Sequence, residues 1–480
     1  MTVKEFKDII ECLRDIIYGT EWETHVYGVG GCVRDLLMEH PIKDIDLVID
    51  LPDGGINFAN WVKEHGYTNG SVVTYPTYGT AMFRLAKYPD IELECVQTRG
   101  EQYHDKNSRN PEVVFANIED DAFRRDLTIN ALYLSVSTGQ IIDVTKMGED
   151  DIKNHVIRTT NSNPDVVFID DPLRIMRVCR FSCRYSWKIE KETYMSMVRN
   201  VDRLEIITKE RIQDELLKIL CCDNPVMGLE ELEDIGALKY IIPELQETVG
   251  MTQNKYHFGD VWEHTLKVVD NVKEMVKTNT LFPKNGYTHQ VLMVAALLHD
   301  IGKINTRTEK DGNVHFIYHE LESEKLAIKI LKRLKFSNDF IDDVAFAVKE
   351  HMRFKSFGDN TPTDKALRKF QYACKTLSRF ELCLILIHAD NMAHAEKYCL
   401  PNQYDKIMKR SFDMIGEGEA MFGYKLPIDG NDIMEFKKIE PGPDVKKYQE
   451  YLLKMAYNGV GKLDREACFK YIKNIDPQKI

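Results

Sequence analysis

Apolar and polar residues alternate in six short stretches: THVYGVG, KDIDLVID, GTAMFRLA, IELECV, ALYLSVS and QIIDV, all lying between residue 20 and about residue 145. Period-two alternation predicts half-buried strands. Helical spacing flanks them, so the first third of the chain is predicted to be α+β. From about residue 165 the strand pattern vanishes and amphipathic helical periodicity takes over. The opening MTVKEFKDIIECLRD is charged and amphipathic, which predicts a helix and not a signal peptide. Asp171-Pro172 places a cap residue before a first-turn proline. Pro225, Pro243, the FPKNG at 282–286 and the PGP at 441–443 predict breaks between helices. The pattern is that of a mixed head followed by a long helical body.

Composition adds bounds. A chain of 480 residues is too long for one core, so two to four domains are expected. The net charge of -12 argues against a chain that coats nucleic acid by bulk charge, but it leaves room for a local basic groove. No apolar run approaches the roughly 18 residues of a membrane span. The 11 cysteines are scattered, none as C-x-x-C, and Cys179, Cys221 and Cys383 fall in apolar stretches. That usage predicts reduced thiols in the cytoplasm, not a disulfide frame or a thiolate zinc site.

Candidate chemistry starts in GVGGCVRDLLMEHPIKDIDLVID, residues 28–50. In KDIDLVID the apolar Ile45, Leu47 and Ile49 alternate with Asp44 and Asp46, so on a strand both carboxylates share one face. Hard oxygen ligands suit magnesium, which bridges carboxylates to substrate phosphates. Gly30 and Gly31 let backbone amides approach a triphosphate, and Arg34 can pair with it. A Rossmann dinucleotide site would need a third glycine that GVGGCV lacks. In EDDAFRRDLTINAL the adjacent Arg124 and Arg125 can clamp phosphates beside the carboxylate strand. Arg174, Arg177, Arg180 and Arg184 share one face of a helix predicted over 171–184. Such a row is unfavourable unless something anionic lies along it; a solvated basic face is the plainer reading.

Taken in order, GGCVRDLL with KDIDLV, RRDLTINAL, IIDVTKMGEDDI, DDPLRIMRVCRF and ERIQDELLKIL resemble the class II CCA-adding enzymes. These are tRNA nucleotidyltransferases of the DNA polymerase β-like superfamily, here in the branch with an HD domain. The resemblance implies that Asp44 and Asp46 bind catalytic Mg2+ and that Gly31, Arg34 and Arg125 hold the incoming triphosphate. It implies that Asp171 and Arg174 read the incoming base, with Arg177 and Arg180 further along the same helix. The partners it implies are tRNA, CTP and ATP. The chain departs from the family at Asp170-Asp171, where Glu-Asp is commoner, and at the single Gly148. QYHDKNSRNPEVV is slightly longer than in many relatives, where the family has a flexible loop needed for adding A. The reading pair also makes physical sense. Cytosine and adenine both offer an amine donor beside a ring-nitrogen acceptor, whereas guanine and uracil reverse that order. A carboxylate beside a guanidinium therefore matches C and A alone, and a wrong base leaves a desolvated polar group unpaired at about 1–3 kcal/mol.

A second series lies further on: His264, His299 and Asp300 in LLHDIGK, His319, His351, and Asp390 in HAD. It resembles the HD metal-dependent phosphohydrolase domain. That resemblance implies one divalent metal on His264, His299, Asp300 and Asp390, with His319 and His351 available for a second. The alternative is a helical domain whose histidines are merely partnered. The expected organisation is a nucleotidyltransferase head at 1–150, a helical neck and RNA-binding body at 151–250, an HD domain at 251–395 and a helical region at 396–480. The expected activity is stepwise addition of C, C and A to tRNA 3′ ends. An enzyme adding only CC or only A, a poly(A) polymerase, or an HD phosphohydrolase with an RNA-binding head are the alternatives.

Overall fold

The computed structural model describes residues 1–102, 112–253, 259–278 and 286–479. The chain divides into two compact units, Met1–Ile241 and Ile242–Ile480. In the first, a seven-stranded sheet is formed by β1 (Val26–Val29), β2 (Ile45–Ile49), β3 (Val73–Tyr75), β4 (Thr80–Leu85), β5 (Tyr88–Gln97), β6 (Leu132–Ser135) and β7 (Ile141–Asp143). All six predicted alternating stretches are among these strands. The spatial order is β3-β4-β5-β2-β1-β6-β7. Every pairing in it is antiparallel except β2 with β5, which run parallel with Asp46 opposite Glu94.

Alternation sorts the sheet's two faces. Ile45, Leu47 and Ile49 of β2 enter a large core with Phe6, Ile9 and Leu13 of α1 (Val3–Ile17) and Phe58 and Val62 of α3 (Gly54–Glu64). Helix α1 opens on a capping box, where the Glu5 amide donates to the Thr2 hydroxyl and the Thr2 amide to the Glu5 carboxylate. At Gly55 a Cβ would lie 2.8 Å from the Cys95 and Gly79 carbonyls, so only glycine lets α3 come this close to the sheet. The opposite face carries a smaller cluster of Val29, Val48, Ala122, Ala131 and Tyr133. By alternation it also carries Asp46 and Glu94.

Between β1 and β2 lies α2 (Gly31–Leu37), and α4 (Ile118–Arg124) precedes β6. The helical remainder of this unit includes α5 (Pro164–Asp170), α6 (Leu173–Tyr185), α7 (Lys191–Asn200), α8 (Lys209–Leu220) and α9 (Pro225–Asp234). Helix α6 packs on α8 and α9. Strand structure does not vanish after residue 165, contrary to expectation. Lys188–Ile189 pairs in parallel with Val156–Ile157, and Arg307–Lys310 forms a hairpin with Asn313–Phe316. The first is only two residues long on each side and the second is largely exposed, so neither leaves a readable apolar alternation.

The second unit is helical: α10 (Val261–Thr278), α11 (Tyr287–Leu298), α12 (His319–Arg333), α13 (Asn338–Glu350), α14 (Asp364–Cys374) and α15 (Leu377–Met392) pack together. Helices α16 (Gln403–Gly416), α17 (Gly430–Lys437), α18 (Pro443–Met455) and α19 (Arg465–Ile472) follow, and a separate core includes Ile433, Tyr448, Leu452 and Cys468. Pro225, Pro243 and Pro443 each begin a helix, where the missing amide costs nothing. The FPKNG break and the longer QYHDKNSRNPEVV segment fall largely outside the described residues. Among the described residues no helix is long and apolar enough to cross a membrane.

Candidate functional site

The sheet face that carries Asp46 is a carboxylate site. Asp44 precedes β2 and is mostly exposed, while Asp46 is half-buried. Burial, then the neighbouring Glu94 and Asp44 carboxylates, push the Asp46 carboxyl up to about 6. Glu94 was not singled out from the sequence; its signal was the alternation of IELECV, but only the β2–β5 register brings it beside Asp46. A face of acidic oxygens that repel one another suits a hard divalent cation, and the donor set therefore fits magnesium.

The glycine turn and two arginines meet beside this face. Gly30 has φ +72°, a conformation that favours glycine, and it starts α2. A Cβ there would lie 3.5 Å from Arg125 Nη1, and one on Gly31 would lie 3.6 Å from Arg34 Nη2. Arg34 is buried. It bonds Asp35 at 2.8 Å and Asn130 Oδ1 at 2.6 Å, and it faces the Phe181 and Tyr185 rings. Arg125 donates from Nε and Nη2 to Asp121 Oδ2, which also accepts from Tyr133. Burial would raise the Asp121 carboxyl, yet Arg125 and Arg124 hold it at about 2, so it stays charged and keeps the forks fixed. Arg124 does not join Arg125 at the turn; it is turned to Asp121 and to the Arg99 carbonyl.

Helix α6 corrects two expectations. Asp171 is not on the helix, because a residue before proline is pushed out of the helical region. It is extended, with ψ 97°, ahead of Pro172. Its Oδ1 accepts from the Leu173 amide, and its Oδ2 takes Arg211 Nη2 at 2.7 Å. The Arg174 guanidinium instead donates to the Val167 carbonyl at 3.3 Å, so the Asp171 and Arg174 side chains flank the same bend without pairing, although the Arg174 amide donates to the Asp171 carbonyl. The second correction is the arginine row: its anions come largely from the protein. Arg177 bonds Asp126 at 2.6 Å, and Arg180 bonds Glu215 at 2.7 Å. Arg184 faces the Tyr185 ring. Arg211 and Glu215 depend on partners far away in the chain, Asp171 and Arg180, whereas Asp121 could have been found from its spacing of three and four residues to Arg124 and Arg125.

The second unit holds a sealed histidine–aspartate cluster. His264 (α10), His299 (end of α11) and Asp390 (α15) converge, as do Asp300, His319 (start of α12) and His351 (after α13); all six are buried. Asp300 is therefore not confined to the first set. Its Oδ2 lies 3.2 Å from His299 Nε2 and 3.4 Å from His264 Nε2, while Oδ1 lies 3.2 Å from His319 Nε2 and 3.7 Å from His351 Nε2. Nδ1 of His299, His319 and His351 each faces a backbone carbonyl at 2.6–2.8 Å. As donors there, these rings turn bare Nε2 lone pairs inward. The Nε2 atoms of His264 and His299, and of His319 and His351, approach to 3.3 Å. Asp300 Oδ1 and Asp390 Oδ2 are buried and are met only by close nitrogens that lack hydrogen-bond alignment, His319 Nε2 at 3.2 Å and Lys355 Nζ at 2.8 Å. Converging ring nitrogens and carboxylate oxygens fit divalent cations, which His264, His299 and Asp390 on one side and Asp300, His319 and His351 on the other would hold. Lys303 and Lys355, which the sequence did not flag, reach Asp300 at 2.7 Å and Asp390 at 2.8 Å.

With this geometry in view, the comparisons are specific. The Poly A polymerase head domain family matches residues 26–158, the Probable RNA and SrmB-binding site of polymerase A matches 187–248, and the HD domain matches 261–378. A Multifunctional CCA protein of Actinobacillus pleuropneumoniae is 32% identical over 339 residues, covering 68% of this chain and 74% of that protein. The Bacillus stearothermophilus CCA-adding enzyme in complex with CTP has the same fold (TM-score 0.65, 18% identity, 98% and 96% of the two chains). So does the Thermotoga maritima CCA-adding enzyme complexed with tRNA-CCA (TM-score 0.59, 21% identity, 98% and 96%).

Proposed function

Because the chain belongs to the multifunctional CCA protein family, we propose that it adds C, C and A to tRNA 3′ ends from CTP and ATP with release of pyrophosphate. The observation that carries this reading is the acidic strand face beside a glycine turn flanked by two anchored guanidinium groups. Asp44 and Asp46, with Glu94 alongside, would hold Mg2+. A cation held there would lower the pKa of the attacking 3′-hydroxyl and offset charge on the leaving pyrophosphate. The Gly30 amide is taken by the Leu132 carbonyl at 3.1 Å, so the Gly31 amide would donate to the triphosphate, and Arg34 and Arg125 would pair with it; their carboxylate partners keep both forks in place. Asp171 accepts from the exocyclic amine and Arg174 donates to the ring nitrogen. Arg211, 2.7 Å from the Asp171 carboxylate, would keep it in place for that contact. The neck and body would grip tRNA by shape and backbone. The domain limits proposed are 1–150, 151–250, 251–395 and 396–480, and eleven free thiols support a cytoplasmic setting.

The buried cluster supports a second activity, metal-dependent phosphohydrolysis, because aligned lone pairs without protons are unfavourable unless a cation occupies them. The deciding experiment supplies tRNA transcripts ending before C, after CC and complete, with each nucleotide, and maps the products. Full CCA on the first and A alone on the second is the expected result. Products ending at CC, addition of A only, or a long A tail would identify the alternative enzymes. No transfer at all, with hydrolysis intact, would leave the head as an RNA-binding module.

A further inference from the structure

The Sγ atoms of Cys183 and Cys222 lie 3.1 Å apart, closer than two sulfurs pack when merely in contact. Cys183 is on the last turns of α6 and fully buried, and Cys222 follows α8 and is partly exposed. Gly228 on α9 makes room for the pair, since a Cβ there would meet Cys183 Sγ at 2.9 Å. We propose that Cys183 and Cys222 are a reversible disulfide pair through which oxidation reaches the nucleotide helix.

Both requirements of such a pair are met. One residue must stand at the surface, and Cys222 is partly exposed; its contact with Cys183 also draws its thiol below the ordinary value. The other must be within reach of the first without unfolding. The remaining described thiols lack this combination: the buried Cys374 and Cys383 offer an oxidant no exposed partner, and the partly exposed Cys12 and Cys399 have no thiol partner among the described residues. A hydroperoxide supplies the oxidant. The Cys222 thiolate attacks one peroxide oxygen, the O–O bond breaks, and the departing oxygen leaves as an alcohol or water after taking a proton. Cys222 is then a sulfenic acid. The Cys183 sulfur attacks it, the S–O bond breaks, and hydroxide leaves as water with the Cys183 proton. A small thiol reverses the result by exchange.

Closing the bond to about 2.05 Å brings the two sulfurs about 1 Å closer, and what side-chain rotation does not take up shifts the last turns of α6 towards the end of α8. Arg180 is one turn away on α6 and is bonded to Glu215 of α8. Displacing positioning groups by about 1 Å lowers rates by up to about a hundredfold. The inference rests on the nucleotidyltransferase reading only for this rate effect.

The test treats full-length protein with hydrogen peroxide, maps non-reduced peptides by mass spectrometry and measures addition to a tRNA lacking its CCA end. The expected outcome is a linked Cys183–Cys222 peptide two hydrogens lighter than its halves, with addition slowed tens-fold and restored by dithiothreitol. Cys222→Ser should keep the untreated rate and resist both changes. Cys183→Ala should leave Cys222 to oxidise alone. Cys222 reaching sulfinic acid while Cys183 stays alkylatable in the unfolded chain would overturn the pair. A linked peptide with an unchanged addition rate would overturn its hold on the helix. Absence of any addition by untreated protein would fail the functional reading instead, and the peptide map would still decide for or against the disulfide.

Discussion

The two candidate metal sites solve one problem in opposite ways. In the head, carboxylates stand on an open sheet face; Asp46 is half-buried, crowded by Glu94 and Asp44, and pushed up to about 6. In the second unit every donor is buried, and burial pushes the His264 imidazole down to about 4, against the opposing pull of Asp390 and Asp300. The open site is all oxygen, while the sealed one is mixed nitrogen and oxygen, with Nδ1 of three rings facing backbone carbonyls. Openness suits a metal that must travel with triphosphates; enclosure suits one that stays resident.

The comparison is broken most directly at its acidic end. Asp46→Ala should lower nucleotide transfer about a thousandfold, with the circular dichroism spectrum unchanged and the metal content of the sealed cluster intact. If transfer survives near the wild-type rate, the open site is not where the metal works. Next in size, Asp300→Ala should weaken both metals of the sealed cluster at least about a hundredfold, whereas His351→Ala should halve the metal bound per chain, as read by elemental analysis. Equal losses in the two variants would mean a single ion. CCA addition should persist in both.

A smaller effect is expected at the bend before α6. Arg211→Ala frees Asp171 from its partner and should reduce discrimination of CTP and ATP from UTP and GTP by about tenfold, measured as kcat/KM for all four nucleotides. Asp171→Ala should relax selection further, with little change in triphosphate affinity. Unaltered preference in both variants would remove this bend from base reading. The smallest effect concerns a buried carboxyl with neither cation nor metal. Glu231 bonds Ser182, and burial pushes it up to about 8 from an ordinary 4.5. The folded chain thus keeps a proton that the unfolded chain sheds, so stability falls as pH rises from about 4.5 to 8. Glu231→Gln should flatten that slope and gain about 1–2 kcal/mol above pH 8, visible as a few degrees in Tm; a lower Tm there would reverse the sign of the argument.

What could be read in advance follows from how local each signal is. The strands were legible because half of each is buried, and Asp44 and Asp46 because both lie in one strand's alternation. Glu94 was not, because its approach to Asp46 depends on register between distant segments. The arginine row was visible as spacing, but its partners Asp126 and Glu215 come from other elements, so paired and free charges looked alike. Proline settled the conformation of Asp171 where helical spacing alone misled. The histidine series was legible in order, yet the two-sided position of Asp300 required five elements in place.

The parallel pairing of β2 with β5 has a consequence for how the chain is made. Asp46 and Glu94 become neighbours only after the ribosome has released the whole of β5 and the intervening segment has closed on itself. Non-local pairings of this kind form slowly, so the acidic face is assembled late, after α1 and the β-hairpin of β4 and β5 have had time to form. A partly synthesised chain would carry Asp44 and Asp46 without their third carboxylate and would capture cations weakly. Metal uptake by the head is therefore a report on completed tertiary structure, and a ribosome-bound nascent chain series read with a fluorescent cation probe would show affinity appearing in one step once β5 clears the exit tunnel.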